Sequence, residues 1–339
     1  MADERGPVGG RDLGEFEIIA RYFAPLATDT AALGLRDDAA VLNIREGSEL
    51  IATCDTLIEG VHFLPGDPPA SIGHKALAVN LSDLAAKGAR GHAYLLALSV
   101  PRNTQGAWFE AFASGLNELQ TAVGINLVGG DTTATSGPLT ITITALGLVA
   151  HGHAVLRHGA KAGDRLYVSG TIGDACLGLR LLTEPSLARV WDLSEEDVAF
   201  LVDRYRRPTP RMQLVIPVRN FAQGAIDVSD GLAADVEKLG KASHVGATIE
   251  TAKVPLSPAA KKALAREPGL LATLLGAGDD YEIVAAVPEA SAAAFEAEAQ
   301  AREVAVTAIG SLGGRSGEVL VLKPEGVPLA LDRKGFAHF

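Results

Sequence analysis

Most residues in this sequence that could do chemistry are aspartates beside glycines or directly after apolar runs. Asp55 follows the apolar run 50–54 and is itself followed by Glu59 and His62. On α/β scaffolds, polar side chains at the end of a buried strand often build a functional site. The same kind of setting recurs along the chain, at Asp37, Asp38, Asp55, Asp83, Asp131, Asp227, Asp230, Asp279 and Asp280.

A cleft lined by several carboxylates needs something that offsets their mutual repulsion. Protonation, basic partners and bound cations can each do so. Basic residues are sparse in these segments, so cations are favoured, and oxygen ligands select hard ions such as Mg²⁺. The pattern indicates a nucleoside triphosphate handled through several Mg²⁺ ions. The competing explanation is structural, because Asp–Gly and Asp–Thr pairs also form turns and helix caps.

The glycine-rich segments do not contain the common nucleotide-binding loops. Neither G-x-x-x-x-G-K-[ST] nor a G-x-G-x-x-G after a strand occurs. The segment 129–131, Gly-Gly-Asp, could let backbone N–H groups approach a phosphate while Asp131 binds its metal. Lys75 and Lys87 lie on the same predicted helix as Asp83, and the sequence leaves open whether they are solvated or contact phosphate. No catalytic base or nucleophile is assigned.

The elements that position these residues mix helices and strands without strict βαβ order. Residues 39–42 and 50–54 are predicted as neighbouring strands around a turn at 45–48, and 125–128 as a short strand that ends before Gly129. Residues 72–89 are predicted as one helix that carries Asn80 and Asp83 on the same face. The fold class is therefore predicted as α+β, with two mixed α/β domains.

The predicted boundaries follow shifts in composition. Residues 1–13 are predicted as a disordered tail, 14–150 as an N-terminal domain and 151–339 as a C-terminal domain. The length of 339 residues, with 47% hydrophobic and 21% charged residues, is typical of a soluble globular protein of about two domains.

Charge and targeting features narrow the class of protein. A net charge of -11 argues against nonspecific nucleic-acid binding, which needs a basic surface. The sequence has no apolar signal segment and no apolar stretch of ~18 residues, so we expect a cytoplasmic protein without membrane contact. The two cysteines, Cys54 and Cys176, lie in apolar runs and are predicted to be small core residues.

Six motifs in this order resemble those of the thiamine-monophosphate kinase family, within the superfamily typified by aminoimidazole ribonucleotide synthetase. The resemblance covers the chain from about Gly14 to Phe339. The motifs occupy residues 37–40, 55–63, 75–83, 129–133, 226–232 and 278–282. The third and fifth are typical of the superfamily, and the second, with His62 and Phe63, indicates the kinase.

The resemblance implies ATP-dependent phosphorylation of thiamine phosphate to thiamine diphosphate with several Mg²⁺ ions. The implied metal ligands are Asp37, Thr53, Cys54 through its carbonyl, Asp55, Asp83, Asp131, Asp227 and Asp230. The implied ATP contacts are Gly130, Asp131, Arg157 and Ser229. The implied thiamine phosphate contacts are His62, Asp279 and Phe336. The family's fold implies two α/β domains and a homodimer in which the N-terminal sheets join in a barrel.

Such a reaction needs no strong general base, which agrees with the fact that none is assigned in the sequence. The acceptor is itself a phosphate, whose second pKa is about 6, so its attacking oxygen is largely ionised at neutral pH. Direct transfer then needs charge neutralisation and in-line placement. Two alternatives remain: another ATP-using synthetase of the superfamily, or a non-catalytic protein that binds divalent cations. A selenophosphate synthetase would need a reactive cysteine near the N-terminus, and none precedes Cys54.

Overall fold

In this computed structural model the described residues are 14–37, 39–331 and 335–336, so the predicted tail 1–13 and Asp38 lie outside them. The N-terminal half is built on a mixed sheet with the spatial order β1-β4-β2-β3. Its elements are α1 (Glu15–Ile18), β1 (Ser48–Ile58), α2 (Pro69–Ala86), β2 (Arg90–Pro101), α3 (Gly106–Val123), β3 (Asn126–Thr135) and β4 (Thr140–Ala150). Strand β4 is antiparallel to β1 and β2, whereas β2 and β3 are parallel because α3 crosses over between them.

The C-terminal half is built on a second sheet, with the order β10-β7-β9-β5-β8-β6. Its strands are β5 (Arg165–Ser169), β6 (Gly224–Asp227), β7 (Ala247–Glu250), β8 (Ile283–Val287), β9 (Val306–Leu312) and β10 (Val319–Leu322). Its helices are α4 (Asp174–Thr183), α5 (Leu187–Val190), α6 (Glu195–Arg206), α7 (Val215–Phe221), α8 (Leu232–Ala242), α9 (Pro258–Arg266), α10 (Leu270–Gly276) and α11 (Ala292–Gln300). The predicted α+β class is confirmed.

The two faces of the N-terminal sheet differ in what covers them. One face packs on α2 and α3, where Leu98, Ile143 and Phe112 are buried in a common apolar core. The opposite face, here called the open face, carries exposed side chains on two strands: Leu50, Ala52, Cys54 and Thr56 of β1, and Leu95 and Ala97 of β2. Strand order leaves β1 at one edge of this sheet.

Helix α2 is buried on nearly all sides. It packs on α3 and the N-terminal sheet, and its last turn, with Ala85 and Ala86, joins a second core that includes Val215 and Val218 of α7. A helix buried all round belongs to the interior of the molecule rather than to its surface. None of the helices within the described ranges is both long and apolar enough to cross a bilayer.

Three predicted features are wrong. Residues 39–42 form no strand; Ala40 and Leu42 pack beside Ala93 and Val128, whereas Val41 is exposed. Strand β1 does not end at Asp55 but continues to Ile58. The Gly129–Asp131 segment is not a turn but lies inside β3, which continues to Thr135. Short apolar runs and glycines give local signals, which strand pairing overrides here.

The helix pair α2 and α3 is held close by two glycines. An added Cβ at Gly115 would lie 1.8 Å from the carbonyl oxygen of Ala70, and one at Gly73 would lie 2.2 Å from that of Phe112. Both oxygens belong to helix backbone, which cannot move aside without separating the helices. The packing of α2 therefore depends on glycine at these two positions.

We expect Gly115→Ala to lower the free energy of unfolding by about 1–3 kcal/mol, because the methyl group overpacks the helix contact. Urea titration followed by circular dichroism measures this change. Gly269→Ala is the matched control, since Gly269 has a negative φ of -64° and nothing within 4 Å of its Cβ position. Equal stability of the two variants would contradict the close-packing explanation.

Candidate active site

A cavity of about 670 Å³ lies between β1, α2 and the C-terminal half. Its lining includes nine of the residues predicted for the site: Cys54, Asp55, His62, Asp83, Asp227, Ser229, Asp230, Asp279 and Phe336. Because these residues come from both halves of the chain, the fold brings together positions up to 282 residues apart in sequence.

Three aspartates, here called the aspartate trio, come from different elements: Asp55 from β1, Asp83 from α2 and Asp227 from the end of β6. Their positions are held by neighbours, since Thr53 donates its hydroxyl hydrogen bond to Asp83 and the Asn80 side-chain oxygen accepts from the backbone N–H of Asp55 at 3.2 Å. The predicted common face of Asn80 and Asp83 is thus confirmed.

Burial and mutual repulsion dominate the electrostatics of the trio. Burial, reinforced by the charge of Asp83, raises the pKa of Asp55 to about 6. Burial also raises the pKa of Asp227 well above its usual range, and the charges of Asp83 and Asp235 add to the effect. Without a ligand, the trio therefore binds protons or other cations readily.

The loop after β6 is organised by a carboxylate of α8. Oδ2 of Asp235 accepts the backbone N–H groups of Ser229, Asp230 and Gly231 at 3.1, 3.0 and 3.1 Å. Lys238 binds Oδ1 of Asp235 at 2.7 Å and also pairs with Asp230. The predicted residues Ser229 and Asp230 are therefore fixed at the cavity before any ligand arrives.

The turn after β1 fixes the ring of His62. Nδ1 of His62 accepts the backbone N–H of Ile58 at 3.0 Å, so in the neutral ring the proton is on Nε2. At the other end of the chain, the backbone N–H of Phe336 donates to the carbonyl of Asp230 at 2.9 Å, while the residue as a whole is 51% exposed. Both predicted substrate residues therefore reach the cavity.

Asp279 lies in a strained loop between α10 and β8, with a φ of +70°. Its backbone N–H donates to the carbonyl of Ser229 at 2.9 Å, and the Tyr281 hydroxyl donates to its Oδ1 at 3.1 Å. An added Cβ at Gly278 would lie 2.1 Å from the Ser229 carbonyl oxygen, so only glycine permits the two loops to touch.

Five predicted residues do not line the cavity: Asp37, Thr53, Gly130, Asp131 and Arg157. Gly130 and Asp131 lie in β3, where Asp131 pairs with Ala97 of β2, and the same register line crosses β4 to reach Thr56 of β1. Asp131 is thus three strands from β1, about 14 Å at the usual spacing. It shares the open face with Ala97 and Thr56, whereas Asp55 is directed to the opposite face. Asp37 and Arg157 are exposed and also lie off the cavity wall; Thr53 contributes through Asp83.

Gly130 is required by the backbone rather than by a turn. Its φ is +150°, and an added Cβ would lie 1.8 Å from the carbonyl oxygen of Leu96 in the neighbouring strand. A side chain at this position would break the pairing of β2 with β3.

Sequence reasoning missed an apolar wall opposite the trio. It is formed by α4 and α10, with Ala175, Cys176, Leu179, Ala272 and Thr273. The prediction that both cysteines are core residues is wrong, because Cys54 is exposed and Cys176 is half-buried at this wall. Burial raises the pKa of the Cys176 thiol to about 12, so it is an apolar contact rather than a nucleophile. Ala and Leu carry no signal of such a role in sequence.

Lys87 places a half-buried cation close to the trio. Its Nζ donates to the carbonyl of Ala225 in β6 at 2.8 Å. Burial and the charge of Arg157 lower its pKa to about 8, although Asp83 and Asp227 oppose the shift. Lys87 therefore donates its hydrogen bond to the protein backbone, close to the trio.

The trio fits a bound cation, since a cation would restore the ionised form of carboxylates whose pKa is raised. Within residues 14–37, 39–331 and 335–336, no three His, Cys, Asp or Glu side chains lie close enough to hold one metal ion. That arrangement suits Mg²⁺, which takes one or two carboxylates and completes its shell with water and phosphate oxygens. The cavity can thus gather anionic phosphates through cations beside an apolar wall.

Two family models together match most of the chain: AIR synthase related protein, N-terminal domain, over residues 36–149, and its C-terminal domain over residues 161–323. The hydrogenase maturation protein HypE of E. coli shares this fold, with a TM-score of 0.76 at 21% identity over 94% of this chain and 98% of that one. The class is therefore that of the AIR synthase related proteins.

Similar curated proteins specify the class further. The thiamine-monophosphate kinase of Caulobacter vibrioides is 43% identical over 96% of this chain and 90% of its own length, and that of Escherichia coli K12 is 41% identical over 96% and 98%. The thiamine-monophosphate kinase structure from Stenotrophomonas maltophilia K279a has a TM-score of 0.80 at 39% identity over 90% and 94%. A structure described as AaThiL complexed with AMPPCP and TMP has a TM-score of 0.75 at 29% identity over 96% and 97%. The chain belongs to the thiamine-monophosphate kinase family.

We expect Asp55→Asn to stabilise the metal-free protein at pH 7.5 by about 1–3 kcal/mol. Because the folded-state pKa of Asp55 is raised from 3.8 to about 6, the folded protein binds more protons than the unfolded chain between these values, and wild-type stability falls as pH rises through them. The asparagine side chain avoids that cost. Thermal melts in EDTA at pH 7.5 and pH 4 measure the difference, which should vanish at pH 4. A variant less stable than wild type at pH 7.5 would contradict the shift.

Proposed function

We propose that this protein transfers the γ-phosphoryl group of ATP directly and in line to the phosphate of thiamine monophosphate, with Mg²⁺ ions at the aspartate trio. The reaction itself, ATP-dependent phosphorylation of thiamine monophosphate to thiamine diphosphate, is that of the family to which the chain belongs. The observation that carries the proposal is one cavity that combines the trio, an apolar wall and His62.

The residues proposed to hold Mg²⁺ are the trio and Asp230, with Thr53, the Cys54 carbonyl, Asp37 and Asp131 as further ligands. Bound Mg²⁺ would supply the positive charge that offsets repulsion between two polyanionic substrates. The Thr53 hydroxyl fixes the orientation of Asp83, and Asp235 fixes the backbone on which Asp230 and Ser229 stand. The proposed nucleotide contacts are Gly130, Asp131, Arg157 and Ser229.

The proposed acceptor needs positioning rather than deprotonation. Since its phosphate is largely ionised at neutral pH, no general base is required. The neutral His62 ring carries its proton on Nε2 because Nδ1 accepts from Ile58, so it is suited to donate to a phosphate oxygen. Asp279 and Phe336 are proposed to contact the remainder of the substrate. The use of ATP supports the proposed cytoplasmic location.

We expect Asp83→Asn to lower kcat by about 10²–10³-fold while the fold is retained. The neutral amide removes the negative charge with which this position would bind a cation. Thiamine diphosphate is measured as thiochrome fluorescence after incubation with ATP, Mg²⁺ and thiamine monophosphate. Asp203→Asn, which changes an exposed aspartate of α6, is the matched control. Activity of Asp83→Asn within threefold of the control would disprove the metal assignment, and absence of product with wild-type protein would disprove the function.

The open face of the N-terminal sheet supports a homodimer. It exposes 42% of Leu50 on the edge strand β1 and 39% of Leu95 on the inner strand β2, and a second copy would cover both. Asp131 lies on the same face, so its proposed nucleotide contact places part of the site at this interface. We therefore propose residues 14–150 as the dimerising unit, with the sheets joined in a barrel.

Leu95→Asp is expected to convert the dimer to a monomer, because it places a charge in the centre of the proposed contact. Sedimentation equilibrium should give 35.1 kDa for the variant and twice that mass for wild type. Leu320→Asp, at an equally exposed leucine of β10, should remain dimeric. A monomeric wild-type protein would contradict the proposal.

A further inference from the structure

Lys75 of α2 is a buried cation whose contacts are all within the protein. The residue is 1% exposed. Its Nζ donates to the backbone carbonyl of His62 and to Oδ2 of Asp279, each at 2.9 Å, and lies 4.1 Å from the centroid of the Tyr205 ring. A lysine ammonium has three N–H donors and no acceptor. Two are used in hydrogen bonds, and the cation faces an aromatic ring, which is itself a favourable partner.

The partners of Lys75 come from separate parts of the chain. His62 belongs to the turn after β1, Asp279 to the loop before β8, and Tyr205 to α6. Two of these, His62 and Asp279, are among the three residues proposed to contact thiamine monophosphate, and they come from opposite halves of the molecule. One ammonium group therefore joins both sides of the substrate site.

The same contact sets the charge of the site. Asp279 is a carboxylate beside the proposed position of an anionic substrate, which would be repelled by an unpaired negative charge. Lys75 binds its Oδ2 and the Tyr281 hydroxyl binds its Oδ1. Both oxygens are thus held in one orientation by partners that do not belong to the substrate.

We infer that Lys75 is a positioning residue for thiamine monophosphate: it fixes the turn of His62 against Asp279 and neutralises that carboxylate. This inference rests on the proposed function. Lys75 is therefore not proposed to bind phosphate itself, because its N–H donors are directed at His62 and Asp279. Substitution of Lys75 should therefore lower the affinity for thiamine monophosphate and leave the affinity for ATP unchanged.

A second ion pair between the halves provides the structural comparison. Arg206 of α6 binds Asp67 of the N-terminal half at 2.7 Å, and Asp67 is almost fully buried. Neither residue lines the cavity. Arg206→Met therefore removes a cation that joins the two halves without changing the substrate site.

The experiment compares Lys75→Met with Arg206→Met. We expect Lys75→Met to raise KM for thiamine monophosphate about tenfold or more and to leave KM for ATP within about twofold. Isothermal titration of thiamine monophosphate without ATP should show the same loss of affinity. Arg206→Met should lower Tm but leave both KM values unchanged. An unchanged KM for thiamine monophosphate in Lys75→Met, or an equal rise in Arg206→Met, would overturn the positioning role.

A double-mutant cycle covers the case in which Lys75→Met is unstable. In Lys75→Met/Asp279→Asn no unpaired charge remains, so part of the lost affinity and stability should return and the two single effects should not add. Additive effects on KM for thiamine monophosphate would overturn the inference. If wild-type protein forms no thiamine diphosphate, the proposed function fails instead, and the binding titration still tests the Lys75–Asp279 coupling.

Discussion

The burial of helix α2 is the constraint on which the site depends. A polar group removed from water must find a partner inside the protein. On α2, Lys75 donates to the His62 carbonyl and the Asn80 side chain accepts from the backbone N–H of Asp55. Lys87, directly after the helix, donates to the carbonyl of Ala225. Each partner lies on a different element around the cavity. The hydrogen bonds that satisfy these polar groups away from water therefore also hold β1, its turn and β6 at the site.

Charge balance is the second consequence of this arrangement. The site concentrates carboxylates whose burial and mutual repulsion raise the pKa of Asp55 and Asp227. It also contains the cations Lys87 and Lys238, which are bound to protein groups. These lysines reduce the excess of negative charge without eliminating it. The partial neutralisation lets the carboxylates lie together in the folded protein. The remaining negative charge still attracts cations to the site.

The sequence predicted those parts of the site that depend on local pattern. Helix α2 and the shared face of Asn80 and Asp83 followed from helical spacing, and ordered motifs identified most of the residues that line the cavity. The end of β1 and the Gly129–Asp131 segment were mispredicted, because strand length is decided by pairing with distant strands. The apolar wall of α4 and α10 could not be predicted, since its small and aliphatic residues resemble those of any core.

The pairing of β2 with β3 contains a register shift between Tyr94 and Leu95, where Val128 is the extra residue. In an unbroken strand, Leu127 and Asp131 would share a face because they are four residues apart. The bulge instead lets Leu127 enter the core while Asp131 is directed to the open face. If the same four-residue spacing were paired without the bulge, the carboxylate would turn inward to the apolar core, so the bulge is required by electrostatics as well as by packing.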